Sequence, residues 1–398
     1  MPSSASDGTS DDHDRLPGAR TDHRLSAWRR PPLGYLNWAL ALRATGCRVI
    51  WLEGVDLDDG DNSTARRRRW RGANPRECVA ILKARLESYG LVDTLALFDM
   101  NGGSVPDDVA QGCLDLDEAA GADVLLNLWH SLPVSVVQRF RQTIFVDTDP
   151  GLVQVWMTTG DIRLASHGIY FTIGETVGTP EARFPDCGLR WHYTPTPVYL
   201  PAWPIVPAES AAPYTTVTHW WGGTFEFRGE TFSNDKSAAF LDYAELPRRT
   251  TANLELAICL GQHYEEWRGR LEPQGWRIRE AWDVSATPDE YRTYLQRSKG
   301  EFSCVKQYCP QFVNSWTSNR TVCYLASGKP AIIQYTGPSR FLPEAEGLFR
   351  FRTMDDAVRA FAAVETDYER HCRASRALVE EYFDACRVVT RILERSID

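Results

Sequence analysis

The chain has 398 residues, more than one ordinary domain holds and enough for two domains of about 100 to 200 residues. Hydrophobic residues make up 43% and charged residues 24%, which is the composition of a globular protein with a core. The formal charge is −9, from 53 acidic and 44 basic residues. This balance disfavours nucleic acid and anionic membranes as partners.

The ten cysteines are spread from Cys47 to Cys386 and form no C-x-x-C pair. This spacing argues against both a disulfide framework and a zinc site, and favours reduced thiols. No apolar run approaches the roughly 20 residues of a membrane span. The first 24 residues also lack the apolar core of a signal peptide. We therefore expect a soluble, cytoplasmic protein that follows a polar tail over residues 1–24.

The first half alternates apolar helices with short apolar strands. A helix is predicted from Leu33 to near Gly46, followed by a buried strand, and a second helix over Arg76–Tyr89. Further strands are predicted at Thr94–Phe98, Ala122–Leu128, Thr143–Asp147 and Ile169–Ile173. Nearly continuous apolar strands separated by helices indicate a parallel sheet covered on both faces.

A proline-rich stretch from His192 to Tyr214 then interrupts the alternation. Neither a helix nor a central strand accepts so many prolines, so this stretch is the predicted interdomain linker. Beyond it, VTHWWGG reads as a strand ending in a glycine turn, and LELAICLGQHYEEW reads as a helix. The chain closes with long helical patterns from Met354 to about Arg395.

The strongest local signal is EFSCVKQYCPQFVNSWTSNRTVCYLASGKPAIIQYTGPSR, over residues 301–340. A helix beginning near Ser318 or Asn319 places free amides, its positive dipole end and Arg320 where a phosphate could bind. A buried strand follows, and its carboxyl end opens into a Thr336-Gly337 loop, the edge at which ligands bind in open α/β sheets. An ordinary capped helix, strand and turn explains the same pattern.

This region resembles the nucleotide-sugar-binding half of GT-B glycosyltransferases, particularly bacterial family-1-like and spore-coat-type members. The similarity is clearest over residues 301–340 and extends more weakly to Gly222-Gly223, to residues 229–249 and, in the first half, to VDTDPG and FTIGETVG. The resemblance implies an α/β fold in which two Rossmann-like domains face a cleft. It divides the chain into an acceptor-side domain over 25–195, a linker over 196–214, a nucleotide-sugar-binding domain over 215–375 and a helix over 376–398 that crosses back.

The resemblance also implies a donor site in the second half. The glycine turn at Trp221, Gly222 and Gly223 would approach the diphosphate through its backbone amides. Cationic and polar side chains would contact the diphosphate or the sugar of the donor. These are Lys236, Lys306, Ser318, Asn319, Arg320, Gln334, Thr336 and Gly337.

In the string TIFVDTDPG, Asp147 and Asp149 stand at and just after the end of a predicted strand. Two carboxylates at one strand end could chelate a metal, as in GT-A transferases, or act as nucleophile and acid/base, as in haloacid-dehalogenase phosphatases. The resemblance favours a third interpretation, in which one carboxylate faces the cleft as general base. A purely structural role, capping the Pro150-Gly151 turn, remains open.

Three further residues are candidates for contact with the acceptor or for catalysis. His167 lies just before the strand at Ile169 and could act as a base, and Glu175 follows that strand. His219 precedes Trp220 and is a second candidate on the acceptor side. For any single one of them, an ordinary structural role competes with the functional one.

Two features depart from the family pattern or lie outside it. Glycosyltransferases of this type begin with a strand and a glycine-rich loop, whereas RTDHRLSAWRRPP before Leu33 has neither, so the first strand is expected to be shortened or missing. The run RRRRWR at 66–71 could contact nucleic acid, but the acidic string DLDDGD nearby favours a solvated loop.

The sequence therefore predicts a metal-independent glycosyltransferase without a cofactor, which takes a nucleoside diphosphate sugar and a small-molecule or glycan acceptor as substrates. In this hypothesis Lys306, Arg320 and the helix start neutralise the leaving diphosphate, and Asp147, Asp149 or His167 orients or deprotonates the acceptor. Two alternatives stay open: a catalytically silent partner or scaffold protein of the same fold, and a nucleotide-sugar epimerase or phosphorylase.

Overall fold

A computed structural model describes residues 33–57, 74–343 and 346–397. Three sequence features lie outside these described residues: the tail over 1–24, the expected shortened first strand before Leu33, and the arginine run at 66–71.

The first half consists of short helices and parallel strands. Its elements are α1 (Leu33–Ala44), β1 (Trp51–Val55), α2 (Pro75–Ser88), β2 (Leu95–Asp99), α3 (Asp107–Ala110), α4 (Leu116–Ala120), β3 (Leu125–Asn127), α5 (Val134–Val137), β4 (Thr143–Asp147), α6 (Leu152–Thr159), β5 (Ile169–Thr172) and β6 (Trp191–Tyr193). In the described part of the chain these strands form two parallel sheets, β1–β2 and β3–β4–β5–β6.

The proline-rich stretch leads from β6 to the second half and is firmly packed. A 3₁₀ turn occupies Leu200–Ala202, and both Val198 and Trp203 are completely buried. Val198 also forms a bridge with Asp384. The connection between the halves is therefore held against the C-terminal end of the chain.

The second half carries a six-stranded parallel sheet with the order β11-β10-β7-β12-β13-β14. Strand order reverses between β7 and β12, which defines the switch point at which doubly wound sheets bind ligands. The elements are β7 (Tyr214–His219), β8 (Thr224–Phe227), β9 (Glu230–Ser233), α7 (Ser237–Leu241), α8 (Leu246–Arg249), β10 (Leu254–Cys259), α9 (Tyr264–Leu271), β11 (Arg277–Glu280), α10 (Trp282–Ser285), α11 (Pro288–Arg297), β12 (Gly300–Ser303), α12 (Tyr308–Phe312), α13 (Asn319–Ala326), β13 (Ala331–Gln334), β14 (Leu348–Phe351), α14 (Met354–Thr366), α15 (Tyr368–Leu378) and α16 (Ala385–Ile397).

The prediction of a helix for LELAICLGQHYEEW is wrong in its first part. Leu254–Cys259 is the strand β10, and the helix α9 begins only at Tyr264. β10 lies between two other strands, and five of its six residues are buried. A continuous apolar run of this length fits a buried strand and a buried helix equally well, so periodicity could not separate them.

The hairpin β8–β9 is an element that the sequence analysis did not predict. Its turn is Arg228-Gly229, where both residues have positive φ, as a two-residue type I′ hairpin loop requires; Arg at the first position is not one of the residues that usually signal such a loop. Phe225 and Phe232 of the hairpin stack on each other and contact Phe312 of α12. The same cluster includes side chains of α6, so it joins the two halves.

The C-terminal helix α16 packs on the first half. Val388, Val389 and Ile392 are buried together with Trp38 of α1 and with side chains of β4 and β5. The C-terminal helix α16 therefore forms part of the hydrophobic core of the first half.

Replacing Ile392 with Ala is expected to lower the free energy of unfolding by about 2 to 5 kcal/mol, because a buried cavity remains. Arg391→Ala is the matched control: Arg391 is exposed, so this change is expected to stay within about 0.5 kcal/mol. Urea unfolding followed by circular dichroism measures both. Equal stability of the two variants would show that α16 does not belong to the core of the first half.

Candidate functional site

Arg320 lies at the switch point of the second sheet. Its Nε is 2.7 Å from Glu301 Oε1 of β12, and its Nη1 donates to the carbonyl of Val217 in β7 at 3.0 Å. Glu301 is completely buried. Burial acts to lower the pKa of Arg320, but the Glu301 carboxylate, together with Tyr291 and Tyr324, outweighs burial and the pKa is raised. Arg320 is therefore a permanent cation that ties β7 to β12.

Lys236 brings a second positive charge to the same place. It stands at the start of α7, and its backbone N–H donates to the carbonyl of Trp220 at 3.1 Å. Burial, together with the nearby cations Arg320 and Lys306, lowers the pKa of Lys236 to about 7. A lowered lysine pKa among other cations marks a position where an anion would be strongly stabilised.

Lys306 follows β12 and adds the third charge. Its Nζ is 3.5 Å from Asp149 Oδ1, which belongs to the first half. It also lies 5.7 Å from the ring centre of Tyr308. Lys236, Lys306 and Arg320 form what we call the cation cluster, and all three are residues that the sequence analysis assigned to the donor site.

The glycine turn after β7 is arranged differently from the expectation. The amides of Gly222 and Gly223 both donate to one carboxylate oxygen of Asp235, the second at 2.8 Å. A Cβ at Gly222 would lie 2.3 Å from the carbonyl oxygen of Asn234, so glycine is needed for this close approach. The amides predicted to meet a diphosphate are therefore occupied by Asp235, while Trp221 remains 45% exposed.

Ser318 and Asn319 form the start of α13, as predicted. Ser318 is the N-cap, and its Oγ accepts from the amide of Thr321 at 3.0 Å. The side chain of Asn319 lies against α1, since a Cβ at Gly34 would be 3.4 Å from Asn319 Cγ. The start of this helix therefore faces the first half of the chain.

The residues at the end of β13 hold neighbouring backbone in place. Gln334 Oε1 accepts from the amide of Val305 at 3.0 Å. Thr336 Oγ1 donates to the carbonyl of Trp316 at 2.9 Å. A Cβ at Gly337 would lie 2.3 Å from Ser315 Oγ, and its φ of +148° is one that glycine adopts readily. These contacts position the loop over 313–318 against the carboxyl edge of the sheet.

Asp147 is a buried structural carboxylate. It accepts hydrogen bonds from Asp149 N at 2.9 Å, Gln154 Nε2 at 2.8 Å and Thr172 Oγ1 at 3.0 Å. Burial raises its pKa to about 6, although these three hydrogen bonds oppose the shift. With no exposed surface, Asp147 cannot reach an acceptor; it fixes the turn that carries Asp149.

Glu175 joins the halves at a second point. Its carboxylate accepts from Ser339 Oγ at 2.7 Å and from the backbone amide of Arg340. The side chain is 3% exposed. In this arrangement Glu175 is committed to the loop after β13, so contact with an acceptor would require that loop to move.

The expectation that His167 approaches the cleft is wrong. His167 precedes β5 and therefore lies at the amino edge of the sheet, whereas Asp147 and Glu175 lie at or beyond the carboxyl ends of their strands. Its Nδ1–H donates to the carbonyl of Ala165 at 2.7 Å, and Nε2 accepts from Asn127 at 3.1 Å. Burial lowers its pKa. A neutral ring with both nitrogens engaged is a core histidine.

His219 ends β7 on the second half and is exposed. It therefore lies at the carboxyl edge that carries the cation cluster, and not on the acceptor-side domain.

Sequence reasoning missed two carboxylates beside the cluster. Asp235, next to Lys236, holds the glycine turn, and Glu301 neutralises Arg320 from within β12. Asn314, whose amide donates to the carbonyl of Pro150 at 2.9 Å, was also missed. A carboxylate inside a buried strand was the one available signal for Glu301, because such a group needs a cationic partner. Within the described residues, no group of three or more His, Cys, Asp or Glu could hold a metal ion.

Solved structures of low sequence identity share this architecture. HepE of Anabaena, crystallised in complex with UDP-glucose, superposes with a TM-score of 0.52 at 11% identity, over 92% of this chain and 96% of that one. Sucrose-phosphate synthase from Thermosynechococcus elongatus gives a TM-score of 0.50 at 14% identity, over 91% and 92% of the two chains. No protein-family model and no curated protein sequence matches the chain.

The chain has the two-domain α/β fold of the GT-B glycosyltransferases. At identities this low the likeness establishes the fold and not the chemistry. Among the described helices, none has the length and apolar character needed to cross a bilayer.

Glu301→Ala is expected to lower the free energy of unfolding by about 3 to 5 kcal/mol, because it leaves the Arg320 charge buried without a partner. Adding Arg320→Met to the Glu301→Ala variant is expected to recover part of this loss in stability, because the double variant buries no unpaired charge. Guanidinium unfolding of the single and double variants measures the difference. A double variant less stable than Glu301→Ala would contradict this account of the pair.

Proposed function

We propose that the protein is a glycosyltransferase that moves a sugar from a nucleoside diphosphate sugar to a hydroxyl of a small-molecule or glycan acceptor, without a metal. The observation that carries the proposal is the cation cluster at the switch point. Three positive side chains meet there, one of them a lysine with a lowered pKa, and two of the three have an acidic partner. The fold and the nucleotide sugar bound by HepE add support at the level of architecture.

The cluster suits the leaving group of such a reaction. When the bond between the anomeric carbon and the diphosphate oxygen breaks, the negative charge on the diphosphate increases. Lys236, Lys306 and Arg320 would stabilise that charge directly, which is the task a metal ion performs in other transferases. Arg320 can do so with little reorganisation, because Glu301 and Val217 already hold its guanidinium.

Asp149 is the residue best placed to receive the proton of the acceptor hydroxyl. Its side chain is 46% exposed and lies on the first-half side of the cluster. Asp147 holds its backbone amide. A half-exposed carboxylate on a fixed turn, across from the cations proposed to hold the diphosphate, suits the role of general base. Asp147 and His167 are not proposed for this role, because both are buried and fully hydrogen-bonded.

A catalytically silent partner protein of the same fold is the second candidate. One observation favours it: Asp235 occupies the glycine-turn amides that a diphosphate would otherwise use. Mass spectrometry of products after incubation with UDP-glucose and GDP-mannose separates the two candidates, because release of free sugar or formation of a glycoside excludes a silent protein.

Calorimetric titration with UDP, GDP and dTDP tests the donor site. Wild-type protein is expected to bind at least one of the three nucleotides. The Lys306→Ala variant is expected to bind that nucleotide about 10- to 100-fold more weakly, because it loses a charge-assisted contact. Lys83→Ala is the control, since Lys83 donates to the carbonyl of Gly112 in the first half. Absence of nucleotide binding by the wild type would refute the proposal.

Nucleotide affinity is also expected to fall as the pH rises from about 7 to 9. The free protein loses the Lys236 charge through its pKa of about 7, whereas a bound diphosphate favours the charged form, so binding takes up a proton. The phosphate ionisation near pH 6 is nearly complete in this range and does not oppose the trend.

Lys236→Arg keeps its charge across this pH range and is expected to flatten the dependence. Titrations at pH 7, 8 and 9 compare the two proteins. An equal slope for both would show that Lys236 does not contact the nucleotide.

A further inference from the structure

The ion pair between Asp149 and Lys306 joins the proposed base to the proposed diphosphate-binding residue. The two groups come from opposite halves of the chain, and their charged atoms are 3.5 Å apart. A lysine ammonium that neutralises Asp149 is not fully available to a phosphate. The Asp149 oxygen that faces this ammonium is likewise not free to contact an acceptor hydroxyl.

The other groups around Lys306 do not replace Asp149. The ring of Tyr308 lies beneath the ammonium, and burial raises the pKa of the Cys309 thiol to about 11, so the thiol is neutral at pH 7. Lys236 faces Lys306 with a like charge. Among the described residues, Asp149 is the carboxylate within ion-pair distance of Lys306.

Asp149 is also held in this position by its own backbone. Its amide donates to Asp147, and the carbonyl of the next residue, Pro150, accepts from Asn314 of the second half. Gly151 follows with a φ of +92° and packs against Phe312. The turn is thus fixed from both halves, and the carboxylate stays opposite Lys306 until another anion competes for that lysine.

We propose that Asp149 acts as an internal substitute for the donor diphosphate, and that arrival of the diphosphate at Lys306 releases Asp149 to serve as the base. This inference rests on the proposed function and adds the order in which donor binding and activation of the base occur. Before the donor binds, the base is neutralised; after it binds, Lys306 faces the diphosphate and Asp149 is free to accept the proton of the acceptor hydroxyl. The protein therefore becomes competent for transfer only with the donor in place.

Asp149→Asn tests this inference because it gives opposite effects on binding and on transfer. The amide has the same shape and no charge. UDP affinity is expected to rise about 2- to 5-fold, as a half-exposed ion pair no longer competes for Lys306. Sugar transfer from the donor is expected to fall about 100-fold or more, through loss of the base. A residue with only a structural role would weaken both together.

Two controls isolate the charge. Thr196→Val removes an interdomain hydrogen bond to the carbonyl of Thr317 without changing any charge, and it is expected to leave UDP affinity unchanged. In a Lys306→Gln background, Asp149→Asn is expected to give no gain in affinity, because the competing pair is already absent. Thermal unfolding confirms that each variant is folded.

The outcomes separate this inference from the function on which it rests. Failure of the wild type to bind any nucleotide refutes the donor site itself. Nucleotide binding by the wild type with no tightening in Asp149→Asn overturns the inference alone, as does a gain that persists in the Lys306→Gln background. Tighter binding with unchanged transfer overturns the role of Asp149 as base.

Discussion

The contact on which the site depends is the one between Arg320 and the two strands at the switch point. A buried guanidinium in this position is stable only because the Glu301 carboxylate and the carbonyl of Val217 accept its hydrogen bonds. Burial lowers the pKa of Lys236, and the fixed Arg320 cation adds to this shift. The same crowding of charge makes an anion beside Lys306 favourable, and Asp149 supplies one. Because Glu301 neutralises Arg320, the excess positive charge of the cluster rests on its two lysines, in a chain whose net charge is −9.

The two halves meet through the loops that surround this cluster. The side-chain amide of Asn314 donates to the carbonyl of Pro150, and the hydroxyl of Ser339 donates to the carboxylate of Glu175. The aromatic cluster around Phe312 also includes side chains from both halves. α16 and the packed proline-rich segment secure the opposite side. The proposed base and the proposed diphosphate-binding cations thus come from different halves, and Asn314 of the second half also holds the turn that carries Asp149.

Much of the fold was readable because its local signals agree with the tertiary structure. β4 was predicted with the observed bounds, and α1 and α13 start at or within a residue of their predicted positions. β10 was misread as a helix because burial on both faces removes the alternation that distinguishes a strand. His167 was correctly placed just before a strand, and that position already assigns it to the amino edge of the sheet, away from the carboxyl ends of the strands. Only the tertiary structure showed that Asn127 and Ala165 hold its ring in the core.

By itself, the sequence determined the residue types and the elements that carry them: cations after β7 and β12, a capped helix at Ser318, and carboxylates after β4. These are local properties, because caps, turns and apolar periodicity are encoded within a few residues. Tertiary structure alone decided which of them meet. Lys236, Lys306 and Arg320 converge because the reversal of strand order brings β7 beside β12, and Asp149 faces Lys306 because two domains close on each other. Pairings between residues more than 150 positions apart depend on how the domains pack, and no short-range pattern contains that information.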